Sequence, residues 1–345
     1  MAGAGRRRVA VVVAVVALVA AGLLGVCVGA VALPAPGVVS SLLGRAGVHV
    51  GTPLPSVQEE ILVQWRVPRV LLAALVGGLL AVAGASYQGV FRNPLADPYL
   101  LGAAAGAGLG ATVVIGYGPQ NLGPLGTVPA AAFVGALVGV GLAYGLGTTA
   151  ARQGSAGSAT LLLAGIAVTS FLTAVQTLVQ QANSDDLRQI YSWILGQLGT
   201  ASWHQLRLVL PYALVSATVL LVSGRALDVL AVGDDEARTL GVRPGLVRFV
   251  VLVAASLGTA AAVAVSGLIG FVGLVVPHVV RRLAGGSHRI VLPLSLLVGG
   301  AFLVLADLIA RTVVSPAELP IGVVTAFVGA PFFAALLRVR PGSTP

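Results

Sequence analysis

The segment AVGDDEARTLGVRPG, Ala231 to Gly245, gathers charge that the rest of the chain avoids. Asp234, Asp235 and Glu236 are three of only eleven acidic residues in 345, and Arg238 and Arg243 follow closely. Acids at a helix start favour the positive end of the macrodipole. Asp234 and Arg238 stand at i, i+4 with opposite charge. Gly233 and Gly241 break the segment on either side, and Pro244 opens the next helix. Such a segment presents charge on a short rigid helix rather than making or breaking bonds. No GxxxxGK[ST] phosphate loop and no HExxH occur. GSAGS, Gly154 to Ser158, is only a partial G-x-S-x-G and lacks the strand–turn–helix context. His49, His204, His278 and His288 have no helix-compatible ligand spacing. No catalytic residue, metal site or bound cofactor is therefore expected.

The elements that must position this segment are membrane helices. The chain is 57% hydrophobic and 9% charged, with a mean hydropathy of +1.00, whereas soluble domains carry about 25% charged residues. Charge-free stretches run over Val9–Gly44, Val70–Phe91, Tyr99–Ala151 and Phe249–Val280, and a helical span needs about 20 apolar residues. Their continuity excludes the alternating pattern of a membrane β-barrel. The fold class is an all-α polytopic membrane protein of about ten transmembrane helices. Spans are expected near 9–33, 68–91, 98–117, 125–147, 159–181, 207–223, 246–265, 268–284, 291–311 and 320–338, with SGLIG, Ser266 to Gly270, as the turn that splits one long run. The apolar run from Val9 to Leu33 exceeds a signal peptide's h-region of roughly 7–15 residues, so it reads as a retained helix.

Ten spans place both termini on one side. Fourteen arginines then fall inside and six outside, the bias expected of cytoplasmic loops. All twenty basic residues are arginine, and their scatter over loops speaks for membrane orientation and against nucleic acid. Residues 1–345 form one transmembrane domain, because the outer loop 34–64 is too small for a core of its own. Cys27, the lone cysteine, reads as a packing residue.

Other stretches carry information beyond hydropathy. FRNPLADPYLLG (91–102) holds two prolines that interrupt a helix. Arg66 and Arg69 in WRVPR, with Arg311, lie on the outer face, where snorkelling from helix ends is one reading. Arg311 also stands at i+4 from Asp307, an acid costly at that depth. Gln176 and Gln180 share a face of the fifth span, suited to lining a polar path or to interhelical hydrogen bonds.

FRNPLADPYLLG, together with WRVPRVLLAALVGG (65–78), DLRQIYSWILGQLG (186–199), GDDEARTLGV (233–242), GLIGFVGLVVPHVVRRL (267–283) and DLIARTVVSPAELPIGVVTAFVGAPFF (307–333), resembles the FecCD/BtuC-type permease family. These are transmembrane subunits of type II ABC importers for iron-siderophores, haem or cobalamin. The resemblance implies a ten-helix subunit of the cytoplasmic membrane that pairs as a homodimer. It further implies two cytoplasmic ATPase subunits that use ATP and a substrate-binding protein outside. It makes 225–245 the coupling segment, with Gly233, Asp234, Ala237, Arg238, Leu240 and Gly241 at matching positions. Asp235 and Glu236 exceed the pattern. Arg66, Arg69 and Arg311 become docking residues for acids of the binding protein. Asn93 and Leu95, with Ser158 and Thr160, become a cytoplasmic gate. An iron-siderophore leads as cargo, with cobalamin or haem as alternatives. An ion-coupled secondary transporter is a remoter reading, and an integral-membrane enzyme lacks a converging set of reactive side chains.

Overall fold

The computed structural model describes residues 2–29, 31–118, 126–152 and 158–338. Its helices are α1 (Ala2–Cys27), α2 (Ala35–Arg45), α3 (Ser56–Glu60), α4 (Val67–Phe91), α5 (Ala103–Tyr117), α6 (Thr127–Arg152), α7 (Ser158–Ala182), α8 (Leu187–Ile194), α9 (Trp203–Val222), α10 (Gly224–Val232), α11 (Asp234–Thr239), α12 (Pro244–Ser266), α13 (Val272–Ala284), α14 (His288–Thr312) and α15 (Ile321–Arg338). A π-helical stretch, Ile61–Arg66, fuses α3 to α4, and a 3-10 turn, Pro98–Leu101, precedes α5. No strand occurs among the described residues.

Seven described helical runs are long and apolar enough to cross a bilayer, and α5 and α15 are shorter apolar helices. The expected span 268–284 is shorter still. Its helix, α13, begins at Val272 and has 13 residues, about 20 Å at 1.5 Å per residue. The expected third span begins at Ala103, not 98, and loop 34–64 contains α2 and α3. With these shifts the ten expected spans correspond to α1, α4 to α7, α9 and α12 to α15.

α4 is the hub, packed against α9, α12, α13 and α14. Glycine permits the closest of these approaches: a Cβ on Gly84 of α4 would collide with the Gly273 backbone of α13. In lipid, close backbone contact of this kind substitutes for a hydrophobic driving force. Pro277 explains the second half of the contact. It has no N–H for the Gly273 carbonyl four residues back, and Gln88 of α4 supplies the missing donor from its Nε2 at 3.0 Å.

The non-helical link between α12 and α13 is treated similarly. The Ser266 carbonyl accepts from the Gln197 N–H at 2.8 Å. The Tyr99 hydroxyl donates to the Ile269 carbonyl at 3.1 Å and accepts from the Ile269 N–H at 3.2 Å. Irregular backbone survives inside a membrane bundle only when protein groups satisfy it in this way.

Gly84→Leu is expected to destabilise the bundle by about 1–3 kcal/mol or more through overpacking. Gly141→Ala is the control, since nothing lies within 4 Å of its added methyl. Thermal unfolding in detergent distinguishes them, and equal melting temperatures would remove the packing role of Gly84.

Candidate functional site

Charged side chains collect at two opposite ends of the bundle. At one end α10 and α11 form a helical hairpin joined by Gly233. The α11 terminus is a Schellman motif. Val242 N–H bonds to the Ala237 carbonyl at 2.9 Å and Gly241 N–H to the Arg238 carbonyl at 3.0 Å. Gly241 adopts φ +79°, the left-handed conformation such a cap requires, while Ala237 is fully buried beneath the turn.

Asp234 does not pair with Arg238 as its spacing suggests. Its carboxylate accepts from Arg248 of α12 at 2.7 and 2.8 Å and from Arg92. Arg238 turns instead to Asp235 at 2.6 Å, one turn away and largely exposed. A two-pronged guanidinium on a neighbouring helix outcompetes a local i, i+4 partner. The hydrogen bonds from Arg248 hold the Asp234 carboxyl below the usual carboxylate range.

Arg92 reaches Asp234 because it sits in the left-handed region, φ 49°, at the end of α4. From there its Nε also donates to the Leu230 carbonyl at 2.9 Å. Three helices, α4, α10 and α12, are thus fastened to the start of α11. A second tie joins α10 to α14, where Asp228 accepts from Ser287 Oγ and His288 N, both at 2.6 Å, with the His288 ring 3.0 Å away. Burial alone would raise the Asp228 carboxyl, but these donors outweigh it and hold it low. Leu240, at the tip, is 66% exposed.

The far end is built the opposite way. Arg66, Arg69 and Arg311 do come together, but they turn inward. Arg66 donates to the Val26 and Cys27 carbonyls at 2.7 and 2.9 Å and to Val31; Arg311 donates to Gly25. Gly25, Val26 and Cys27 supply the last carbonyls of α1, which have no intrahelical partners, so two arginines cap a helix end. Arg311 also lies 3.5 Å from Asp307. Arg66 and Arg311 are buried, at 7% and 8% exposure, and so do not face outward as expected.

Arg69 is bidentate with Asp307 at 2.9–3.1 Å and with Glu318 at 2.8 Å. Asp307 is 1% exposed but Glu318 45%. The Arg69 hydrogen bonds depress the Glu318 carboxyl. Beside this end lies a cavity of about 530 Å³, lined by Asp186, Gln189 and Trp193 on one side and by apolar residues such as Ile115, Val128 and Val265.

The other expected residues are dispersed. Asn93 Oδ1 accepts from Leu95 N–H at 2.9 Å, closing a turn that leaves Leu95 exposed. Thr160 is half-buried in the first turn of α7, and the side chain of Ser158 lies outside the described residues. Gln176 packs its amide against Gly108 of α5, which favours helix packing over an open path; Gln180 is half-buried. Arg92, Arg248, Gln88, Asp228 and Glu318 were absent from the expected site. Their partners lie 14 to 249 positions away, beyond any local spacing rule.

Residues 17–339 match the FecCD transport family. The chain belongs to that family. Similar relatives of this FecCD protein include an ABC transporter permease of Bacillus subtilis, 42% identical over 91% of this chain and 89% of the relative. A cobalamin import system permease of Halobacterium salinarum is 42% identical over 83% and 76%. A solved structure described as an inward-facing, metal-chelate type ABC transporter superposes with a TM-score of 0.81 at 29% identity, over 94% of this chain and 97% of the other. The FecCD fold, a type II ABC importer permease, is the fold described above.

Because the Asp234 carboxyl is depressed, its stabilisation of the hairpin is complete above about pH 3.9, the unfolded value. It is lost as pH falls through the lower folded value. Arg248→Gln is expected to move that loss to higher pH and to speed amide exchange in α11. Hydrogen exchange compared with wild type between about pH 6 and about pH 3 measures it.

Proposed function

We propose that this FecCD permease is the membrane path of an ATP-driven importer whose cargo is an iron-siderophore. The single observation that carries the coupling is a rigid hairpin, tied by Asp234 to Arg92 and Arg248, on a chain without a nucleotide motif. The exposed tip, with Asp235, Arg238 and Leu240, is the surface that meets a cytoplasmic ATPase. Asp234, Ala237, Gly233 and Gly241 shape and brace that tip. ATP is used by the partner, and this chain binds no cofactor. The hairpin end, both termini and the gate residues Asn93, Leu95, Ser158 and Thr160 face the cytoplasm, following the arginine bias. A second copy of the chain completes the path, with Gln180 of α7 near it.

At the outer end the substrate-binding protein docks. Arg69 is the arginine suited to accept one of its acids, because its partner Glu318 is half-exposed and exchangeable. Arg66 and Arg311 support that site from beneath. A cobalamin cargo is the second reading, favoured by the Halobacterium relative.

Arg238→Glu combined with Leu240→Asp is expected to lower cargo-stimulated ATP hydrolysis about tenfold or more, as loss of an interface anchor does, while the permease still inserts. Hydrolysis by the reconstituted complex at wild-type level would sink the coupling role. The cargo is tested separately, by binding of the cognate binding protein to ferric hydroxamate, haem and cobalamin. Selective cobalamin binding would replace the iron-siderophore reading.

A further inference from the structure

Between α13 and α15, at the hairpin end, lies an open groove of about 350 Å³ that no coupling, docking or gating role uses. Leu283, Phe332, Ala335 and Leu336 give it apolar walls, and His278 and Arg282 stand along one side. His278 and Arg282 are four residues apart on α13 and therefore share a face. The His278 ring stands edge-on to Phe332, centroids 5.6 Å apart, and its Nε2 is buried with no hydrogen-bond partner. Arg282 is exposed and has no ion-pair partner among the described residues. The groove ends where the membrane helices end. α13 stops at Ala284, α14 starts at His288 and α15 runs to Arg338, so Arg281, Arg282, Arg289 and Arg338 mark a polar boundary.

We infer that this groove holds an anionic phospholipid. Its phosphate would take a charge-assisted hydrogen bond from the Arg282 guanidinium. Its acyl chains would lie on Leu283, Phe332 and Leu336. Basic pockets between membrane helices at the cytoplasmic surface recognise anionic headgroups by this chemistry. Neither feature suffices alone. The apolar walls would accept any lipid tail, and Arg282 alone would attract any anion. Together they select an anionic head joined to hydrocarbon, presented at bilayer-boundary depth. The bound lipid would wedge α13 against α15 and hold the half-length α13 in place.

The test uses the full chain in nanodiscs of mixed phosphatidylglycerol and phosphatidylcholine, released into a native mass spectrometer. Wild type is expected to retain phosphatidylglycerol in preference, one per chain. Arg282→Gln, an exposed and structurally mild change, is expected to reduce that preference about fivefold, the worth of one surface arginine to an anionic lipid. Ala335→Trp, which fills the groove, is expected to abolish retention of the preferred lipid, while inorganic phosphate leaves wild-type retention unchanged. Equal retention of the two lipids by wild type, or an unaltered preference in Arg282→Gln, overturns the inference. So does efficient disulfide formation between two copies of a Leu283→Cys variant, which would show that protein covers the groove.

Discussion

The hydrogen bond from Gln88 to the Gly273 carbonyl expresses the constraint on which the whole bundle depends. Within hydrocarbon a backbone group released from its helix has no water to turn to. Pro277 releases one such group, and the neighbouring helix answers it with a side chain. The same amide accepts from Arg281 through its oxygen, so one residue satisfies a broken helix and anchors a cation. The Gly267–Phe271 link follows the same logic, with the Tyr99 hydroxyl closing both polar groups of Ile269. These substitutions allow α13 to be a half-length helix, and they explain why Gly84 must be small: the donor reaches its carbonyl only if α4 and α13 touch.

The two charged ends obey the constraint differently. At the far end the arginines are consumed by the structure, since they satisfy carbonyls at the end of α1. At the hairpin end the charges remain partly in water, and one carboxylate, Asp234, gathers two guanidiniums from separate helices. Asp235, Arg238 and Leu240 are left outward. The base of the hairpin is tied down and its tip is left free.

Much of the fold was legible because hydrophobic length is a local property. Apolar runs located the ten spans to within several residues at most ends. The split near SGLIG was visible as well, but not its depth, because the hydroxyl that makes it tolerable comes from Tyr99, 170 positions away. The charged segment was legible as helix broken at Gly233 and Gly241, and both breaks stand where helices end. Local charge rules then failed where tertiary partners were better. Asp234 exchanged Arg238 for Arg248 and Arg92, and Arg66 and Arg311 left the surface for the end of α1. In each case the decisive group was a distant acceptor or donor that spacing cannot reveal.

α4 connects these observations. Arg66, immediately before it, and Arg69 belong to the far-end cluster; Gln88 and Arg92 belong to the hairpin end. From Arg66 to Arg92 is about 39 Å at helical rise, and most of α4 is buried. A helix so enclosed cannot bend independently of its neighbours, because packed interiors yield little to small displacements. It can move only with the helices that grip it, or pivot at its ends. Its end at Arg92 is held in the left-handed region that non-glycine residues rarely occupy, and its Schellman cap is completed by Asn93 N–H to Gln88 at 3.1 Å. That conformation is what aims Arg92 at Asp234. The local backbone cost is therefore offset by the ion pair that fastens the central helix to the hairpin, so one stiff element joins α11 to the far-end arginines.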